Sequence, residues 1–306
     1  MQETKLNEFI CLKEYINKEE YDEINRLEKL CNQENGVNLK LELDYKLSLY
    51  DESNKSDIGL KNINEFLYYI DGDLAAYIGI SSFGGRNLGE INGMSHPKWR
   101  KKGIFEKLFK LVIDECNKRN FRKILLLTDG KSDSGSQFIK SHGGNYDFSE
   151  YRMKLIDKIA LGGVNSINLR KAENRDKNEI RRQDSIFFSD EEEIEGASND
   201  DELNSSIDEE ISINNVYMAE VNGEVIGKIK IEYEENSAFI CGFGILPWFR
   251  GKGYGKETLK EALKLINNKE IVDIELDVES KNDRALNIYK YFGFREVSVM
   301  DYYKYR

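Results

Sequence analysis

Ile245-Leu246-Pro247-Trp248-Phe249-Arg250-Gly251-Lys252-Gly253-Tyr254-Gly255 is the stretch that decides the fold, because its pattern occurs twice. The earlier copy reads Pro97-Lys98-Trp99-Arg100-Lys101-Lys102-Gly103-Ile104-Phe105. The 2 prolines of the chain open the two copies, 150 residues apart (247 minus 97). Arg100 and Arg250, Lys102 and Lys252, Gly103 and Gly253, and farther on Gly143 and Gly293 keep the same offset. Similarity at a fixed offset marks duplicated structure, and this period is far too long for a solenoid. The repeated unit is a whole domain.

The bulk properties agree. A chain of 306 residues is long enough for two domains, each with its own core. The seam is expected near Lys158 to Ser166, where Leu161-Gly162-Gly163-Val164-Asn165-Ser166 has linker chemistry. Domains spanning 1–160 and 161–306 follow. Hydrophobic content of 40% with 11% aromatic residues fits globular domains. The polar start and the lack of any apolar run near about 18 residues predict a cytoplasmic chain with no membrane partner. A net charge of −11 disfavours nucleic acid and anionic membranes as partners. Cys11, Cys31, Cys116 and Cys241 are scattered and are expected to be free thiols. His96 and His142, the 2 histidines, make no metal site, so no metal is expected.

Outward from the repeat, each half reads alike. In the second half, Asp176–Ser185 is a predicted helix, and Val216–Val221 and Val225–Tyr233 are strands joined by an Asn222-Gly223 hairpin. Ala238–Leu246 is a buried central strand. A helix over Gly255–Ile266 puts Leu259, Ala262, Leu263 and Ile266 on one face. Strand Ile271–Val278, helix Asn282–Phe292 and strand Arg295–Tyr303 close the half. The first half has a helix over Lys18–Cys31, strands Phe66–Ile70 and Ala75–Phe83 around Asp71-Gly72, and a central strand Gly89–Ser95. Helix Gly103–Lys118, strand Lys123–Thr128, helix Ser134–His142 and strand Tyr146–Leu155 follow. Hairpins first and crossover helices later imply an α+β class, a mixed, mostly antiparallel sheet with helices on both faces.

The repeated phrase ends a central strand, turns through glycines and starts a helix. The first N–H groups of a helix have no internal partner and sit at the positive end of its dipole. They form an anion socket to which glycines give close backbone access. Arg250 adds a bidentate donor. A tight strand-to-helix turn with no ligand is the plainer reading of such a phrase, and the duplication weighs against it.

The phrase from Ile245 to Gly255 resembles the acyl-CoA signature of the GNAT family of N-acyltransferases, and Asn282-x-x-Ala285-x-x-x-Tyr289-x-x-x-Gly293-Phe294 resembles that family's second signature. The first half matches at Arg100, Lys102, Gly103 and Ile104, so the whole chain resembles a tandem GNAT protein. The resemblance implies acetyl-CoA held where two parallel strands splay, and direct acyl transfer to a small amine. Backbone groups of Phe243, Gly244 and Ile245 would pair with the pantetheine amides. Arg250, Gly251, Lys252, Gly253, Tyr254 and Gly255 would hold the diphosphate, and Asn282 the pantetheine arm. Tyr289 would give a proton to the sulfur.

At the 150-residue offset Tyr289 falls on Ile139, Asn282 on Ser132, Gly255 on Phe105 and Ile245 on Ser95. The second half is therefore expected to be catalytic. The first is structural, binds CoA without turnover, or shapes the acceptor site. The acidic run Asp190-Glu191-Glu192-Glu193-Ile194-Glu195 suits a cationic amine, or is a solvated loop. Glu90 reads as an exposed strand-end residue, with a base in the first half as the alternative. Trp99 and Phe249 are expected to anchor the turn to its helix. A non-catalytic acyl-CoA-binding protein, and a transferase of the Fem type that uses aminoacyl-tRNA, are the competing functions.

Overall fold

The computed structural model describes residues 6–50, 62–82, 87–157, 162, 166–188 and 213–305. They fall into two compact units, one taking Met1–Tyr151, Glu279–Lys281 and Ser298–Arg306, the other Arg152–Val278 and Asn282–Val297. The acidic run after Asp190 lies outside the described residues.

The first unit contains β1 (Glu8–Lys13), α1 (Lys18–Asn35), α2 (Leu43–Ser48), β2 (Glu65–Ile70), β3 (Asp73–Ser81), β4 (Leu88–Ser95), α3 (Ile104–Lys118), β5 (Lys123–Asp129) and α4 (Asp133–Ser141). It also holds the start of β6 (Gly144–Leu155). β1 to β4 pair antiparallel in chain order, and β4 pairs parallel with β5. β2 is buried at every residue because both faces are covered. Phe66, Tyr68 and Ile70 pack with Leu108, Phe109 and Val112 of α3. Leu67 and Tyr69 pack with Ile24, Leu27 and Cys31 of α1.

The second unit repeats this with β7 (Asn168–Lys171), α5 (Lys177–Phe188), β8 (Val216–Val221), β9 (Glu224–Tyr233), β10 (Ser237–Ile245), α6 (Tyr254–Asn267), β11 (Asp273–Glu279) and α7 (Asp283–Tyr291), together with the start of β12 (Phe294–Tyr305). β7 to β10 are antiparallel, and β10 pairs parallel with β11. Leu259, Ala262, Leu263 and Ile266 are buried on the predicted face of α6. The mixed sheet, the helices and the duplication agree with the sequence reading. Both predicted hairpin turns use left-handed residues, Asp71 (φ 50°) with Gly72 (φ 89°), and Asn222 (φ 53°) with Gly223 (φ 83°). That geometry matches the twist of a two-residue hairpin.

The closing strands depart from the sequence order. The first unit is completed by the end of β12, whose Met300–Lys304 pair antiparallel with Asp129–Leu125 of β5. Tyr302 and Tyr303 are each only 2% exposed there. The second unit takes the end of β6, where Arg152 forms a bidentate pair with Asp277 of β11 (2.5 and 3.0 Å). Lys154 reaches Asp273 at 2.7 Å. Each half of the sequence thus lends its last strand segment to the other unit's sheet.

Deleting residues 298–305 should therefore damage the first unit, although those residues end the second half of the sequence. Losing two buried tyrosines and a strand neighbour is expected to destabilise it by about 3–5 kcal/mol. Hydrogen exchange should show protection lost at β5 amides and kept in β8 and β9; protection kept at β5 would refute the exchange.

Candidate active site

In each unit the site begins where a parallel pair stops. β10 pairs with β11 from Ser237↔Asp273 to Ile240↔Leu276, and then both strands run on without ladder pairing, to Ile245 and Glu279. β4 pairs with β5 from Leu88↔Lys123 to Ile91↔Leu126, and then runs on to Ser95. Beyond that point the facing edges carry backbone N–H and C=O groups without a ladder partner, the kind of edge to which an extended segment can add. In β10 the splay has a local cause. The register against β9 shifts between Cys241 and Gly244, and Gly242 sits at φ 54°. Such a bulge bends its strand. β4 keeps an unbroken register against β3.

After each strand the duplicated turn has the same build. Arg250 donates through Nε to the Ile245 carbonyl at 2.7 Å, and Arg100 donates through Nε to the Ser95 carbonyl at 3.2 Å. The arginine latches the turn to the strand end through Nε. Arg100 also pairs with Glu34 at 3.0 Å. Two positions in each turn are left-handed: Gly251 (φ 78°) and Gly253 (φ 89°) in one, Lys101 (φ 60°) and Gly103 (φ 75°) in the other. α6 and α3 then start with no side-chain cap at Gly253 or Gly103. Their first N–H groups keep no intrahelical acceptor. Trp99 and Phe249 pack onto the cores beside these turns, as expected for anchors. Tyr254 packs in the same cluster as Phe249. The Lys252 ammonium lies 5.4 Å from the Phe249 ring centroid, and that of Lys102 4.3 Å from Trp99.

In the second unit Tyr289 lies on the buried face of α7, 6% exposed. Its ring neighbours are Phe243 at 6.5 Å, on the unpaired part of β10, and Phe294 at 5.9 Å. Burial pushes its phenol above the ordinary tyrosine range, so it holds its proton at neutral pH. Asn282 accepts from the Ala285 N–H through Oδ1 at 3.1 Å and caps α7. Ser132 caps α4 in the same way at 3.2 Å, so the two share a structural duty besides any contact with ligand. Gly255 has a packing reason too: a Cβ there would stand 3.2 Å from Ile288.

Other groups beside the second gap carry no sequence signal. Phe187 of α5 lies over Gly244, where a Cβ would come within 2.3 Å of its ring. Lys228 of β9 is 3% exposed and pairs with Asp184 of α5 at 2.6 Å. Its Nζ also donates to the Gly242 carbonyl at the bulge, at 3.4 Å. A buried lysine in a strand is visible only once α5 is placed above it.

In the first unit the gap is open. A cavity of about 580 Å³ runs between Gly93, Met94 and Ser95 of β4 and Leu126, Leu127 and Thr128 of β5. Phe105, Phe109, Phe138 and Ile139 line one side, Cys31, Val37 and Leu39 the other, and Arg100 and Lys101 also border it. Glu90 is half-buried rather than an exposed strand end, and burial raises its carboxyl above the usual range despite Lys40. Glu28, on α1, is pushed up to about 7, mainly by burial. Among the described residues no group of three or more His, Cys, Asp or Glu could hold a metal ion. No described helix is long and apolar enough to cross a membrane.

The model of the acetyltransferase (GNAT) family matches the chain twice, over residues 25–139 and 178–294. An N-alpha-acetyltransferase of Sulfurisphaera tokodaii is 31% identical over 102 residues, which is 28% of this chain and 60% of that protein. The uncharacterized N-acetyltransferase YycN of Bacillus subtilis is 33% identical over 69 residues, 22% of this chain and 44% of its own length. The chain thus spans about half the length of these relatives. A GCN5-related N-acetyltransferase from Sphaerobacter thermophilus has a similar fold, with a TM-score of 0.73 at 16% identity, covering 97% of this chain and 95% of that one. A tandem GNAT protein from the clavulanic acid biosynthesis pathway gives 0.67 at 12% identity, covering 98% of each chain.

The matched turns yield a stability test. A left-handed backbone costs an L-residue roughly 1–2 kcal/mol, and part of the gain on changing to glycine is offset by the greater freedom glycine gives the unfolded chain. Lys101→Gly should stabilise the first unit by about 0.5–1 kcal/mol. Gly251→Lys should destabilise the second by a similar amount or more, both read from denaturant midpoints.

Proposed function

The chain belongs to the acetyltransferase (GNAT) family in both of its halves, and we propose that it is an N-acetyltransferase whose second unit moves an acetyl group from acetyl-CoA directly to a small amine. The observation that carries this reading is the buried Tyr289 ring, 6.5 Å from the Phe243 ring on the unpaired part of β10, in the unit whose α6 starts without a side-chain cap. The amine acceptor is supported by the relative from Sulfurisphaera tokodaii that is named an N-alpha-acetyltransferase. A cationic amine is supported by the acidic run in the sequence. A cytoplasmic setting belongs to the same reading, supported by four scattered free cysteines.

The residues fit acetyl-CoA. Phe243, Gly244 and Ile245 offer the strand edge that pairs with an amide-bearing arm. The amides from Gly251 to Gly255, with Arg250 fixing the turn and Lys252 nearby, offer the site for a diphosphate. Asn282 keeps its Nδ2 for the arm while Oδ1 caps α7. Arg100, Lys102, Gly103 and Ile104 form the corresponding socket of the first unit. Acetyl-CoA, when bound, supplies the activated acetyl group.

Chemistry in the second unit then needs three things of the protein. The amine must be neutral: with a pKa near that of lysine, ~10.4, only about one molecule in 10³ is neutral at pH 7. A carboxylate or a water chain takes its proton as the C–N bond forms. A backbone N–H on the unpaired β10 edge would polarise the thioester carbonyl. Tyr289 would give the departing thiolate its proton and regain one from solvent, a role supported by its buried ring beside Phe243. A phenol held protonated by burial suits that duty.

Tyr289→Phe keeps the ring and removes the proton. It should lower kcat by about 10²-fold or more, with acetyl-CoA affinity unchanged. Calorimetry with acetyl-CoA and a thiol-release assay over a panel of amines would check both halves of the statement. Full turnover in the variant would overturn the assignment of Tyr289.

A further inference from the structure

Tyr77 and Lys228 hold the same place in their sheets. Tyr77 stands opposite Met94 of β4 and Lys228 opposite Gly244 of β10, and those partners are 150 residues apart (244 minus 94). Beside Tyr77, β4 keeps an unbroken register against β3. Beside Lys228, β10 is bulged between Cys241 and Gly244, with Gly242 at φ 54°. A bulge leaves an extra residue outside the ladder, and its polar groups must find other partners. The Lys228 ammonium is one, donating to the Gly242 carbonyl at 3.4 Å. Lys228 is only 3% exposed, and Asp184 of α5 balances its charge at 2.6 Å. Phe187, on the next turn of α5, covers Gly244. A buried lysine–carboxylate pair contributes little net stability, and apolar side chains of like volume often serve as well or better. What this pair adds is a donor at the bulge.

We propose that Lys228 is a positioning residue for acyl transfer in the second unit: its ammonium, held from α5 by Asp184, stabilises the β10 bulge and thereby aims the backbone of Phe243 to Ile245 at the gap. The inference rests on the reading of the second unit in which a β10 N–H polarises the thioester carbonyl. The direction of that backbone follows from the ladder. The Leu246 N–H donates to the Ile226 carbonyl of β9. Backbone groups alternate along a strand, so the Ile245 N–H points to the opposite edge, which is the gap. Closing the bulge would slip the strand beyond Cys241 by one place and exchange the two directions. The Ile245 N–H would then turn toward β9 and away from the gap.

The experiment uses the full-length chain, with crystallography, calorimetry with acetyl-CoA, and acetyl transfer to spermidine and to an alanine-initiated peptide as amine probes. Lys228→Met keeps the length of the side chain and removes the ammonium. In its crystal structure β10 should move toward the unbroken register of β4. Its kcat should fall about 100-fold, the scale of a reacting group misplaced by about 1 Å. Its Kd for acetyl-CoA should weaken less than about tenfold, because the Gly251–Gly255 turn is untouched. Gly242→Ala attacks the same bulge without a change of charge. The added Cβ would stand 3.5 Å from the Lys228 Nζ, an ordinary contact, so only the left-handed backbone opposes it. It should show the same split of kcat from affinity, which keeps the test open should Lys228→Met not fold. The double variant should be no slower than the slower single variant, since both act on one element. An unshifted β10 in Lys228→Met, a lowered Tm with kcat unchanged, equal losses of kcat and affinity, or additive losses in the double variant would overturn the inference. No transfer by the unsubstituted chain to either probe would instead count against the reading of the second unit, and the register of β10 in Lys228→Met then decides the claim on the bulge.

Discussion

A parallel strand pair that ends early is the constraint on which each unit depends. Pairing stops at Ile240↔Leu276 and at Ile91↔Leu126, while the strands continue. A buried strand edge without a partner is costly, since each lost backbone hydrogen bond leaves polar groups unsatisfied. The fold tolerates the opening because everything around it is fixed. The antiparallel neighbours β3 and β9 hold the other edges of β4 and β10. The Arg100 and Arg250 side chains pin the strand ends to the following turns. Caps at Ser132 and Asn282 start the next helices at defined points. The gap is thus a fixed interruption of the ladder, and a preorganised edge is one that an added strand can pair with at little ordering cost.

Duplication then let the two gaps diverge. The second unit has a bulge at Gly242, glycines at both left-handed turn positions and a phenol on α7. The first has a continuous register, a lysine forced into a left-handed turn position, and aromatic and aliphatic side chains in place of Gly255 and Tyr289. These differences are coordinated. Phe105 meets Phe138, whereas Gly255 makes room for Ile288, the residue at the matching place on α7. A single drifted position would leave a void or a clash, and either is destabilising. The pairs 105/138 and 255/288 thus each fill the wall of their own gap.

Much of this was legible in the sequence because it is local. The hairpins at Asp71-Gly72 and Asn222-Gly223, the apolar face of α6 and the glycine turns are encoded within a few residues. The 150-residue offset carried the architecture, and the backbone repeats it even where residue types differ, as at Asn120 (φ 56°) and Glu270 (φ 59°). What was missed is short or non-local. β1 has exposed residues along its first half, and α2 spans 6 residues, so neither has a strong periodicity. The exchange of closing strands has no sequence signature, because β6 and β12 each read as the natural end of their own half. Arg250, Asn282 and Glu90 carried polar chemistry in the sequence, yet their hydrogen-bond partners and burial depend on strands and helices brought together by folding.

The exchanged strands give the two sites a shared dependence. β5 forms one wall of the first gap, and its other edge is held by residues that end the second half of the sequence. β11 forms one wall of the second gap and is tied by Arg152 and Lys154, which end the first half. Ion pairs on β11 hold a strand whose partner on the gap side is missing beyond Leu276, so the Arg152–Asp277 pair sits where stabilisation is most needed. A bidentate guanidinium–carboxylate pair supplies geometric definition as well as energy. Each gap thus has one wall held on its far edge by residues from the other half of the sequence.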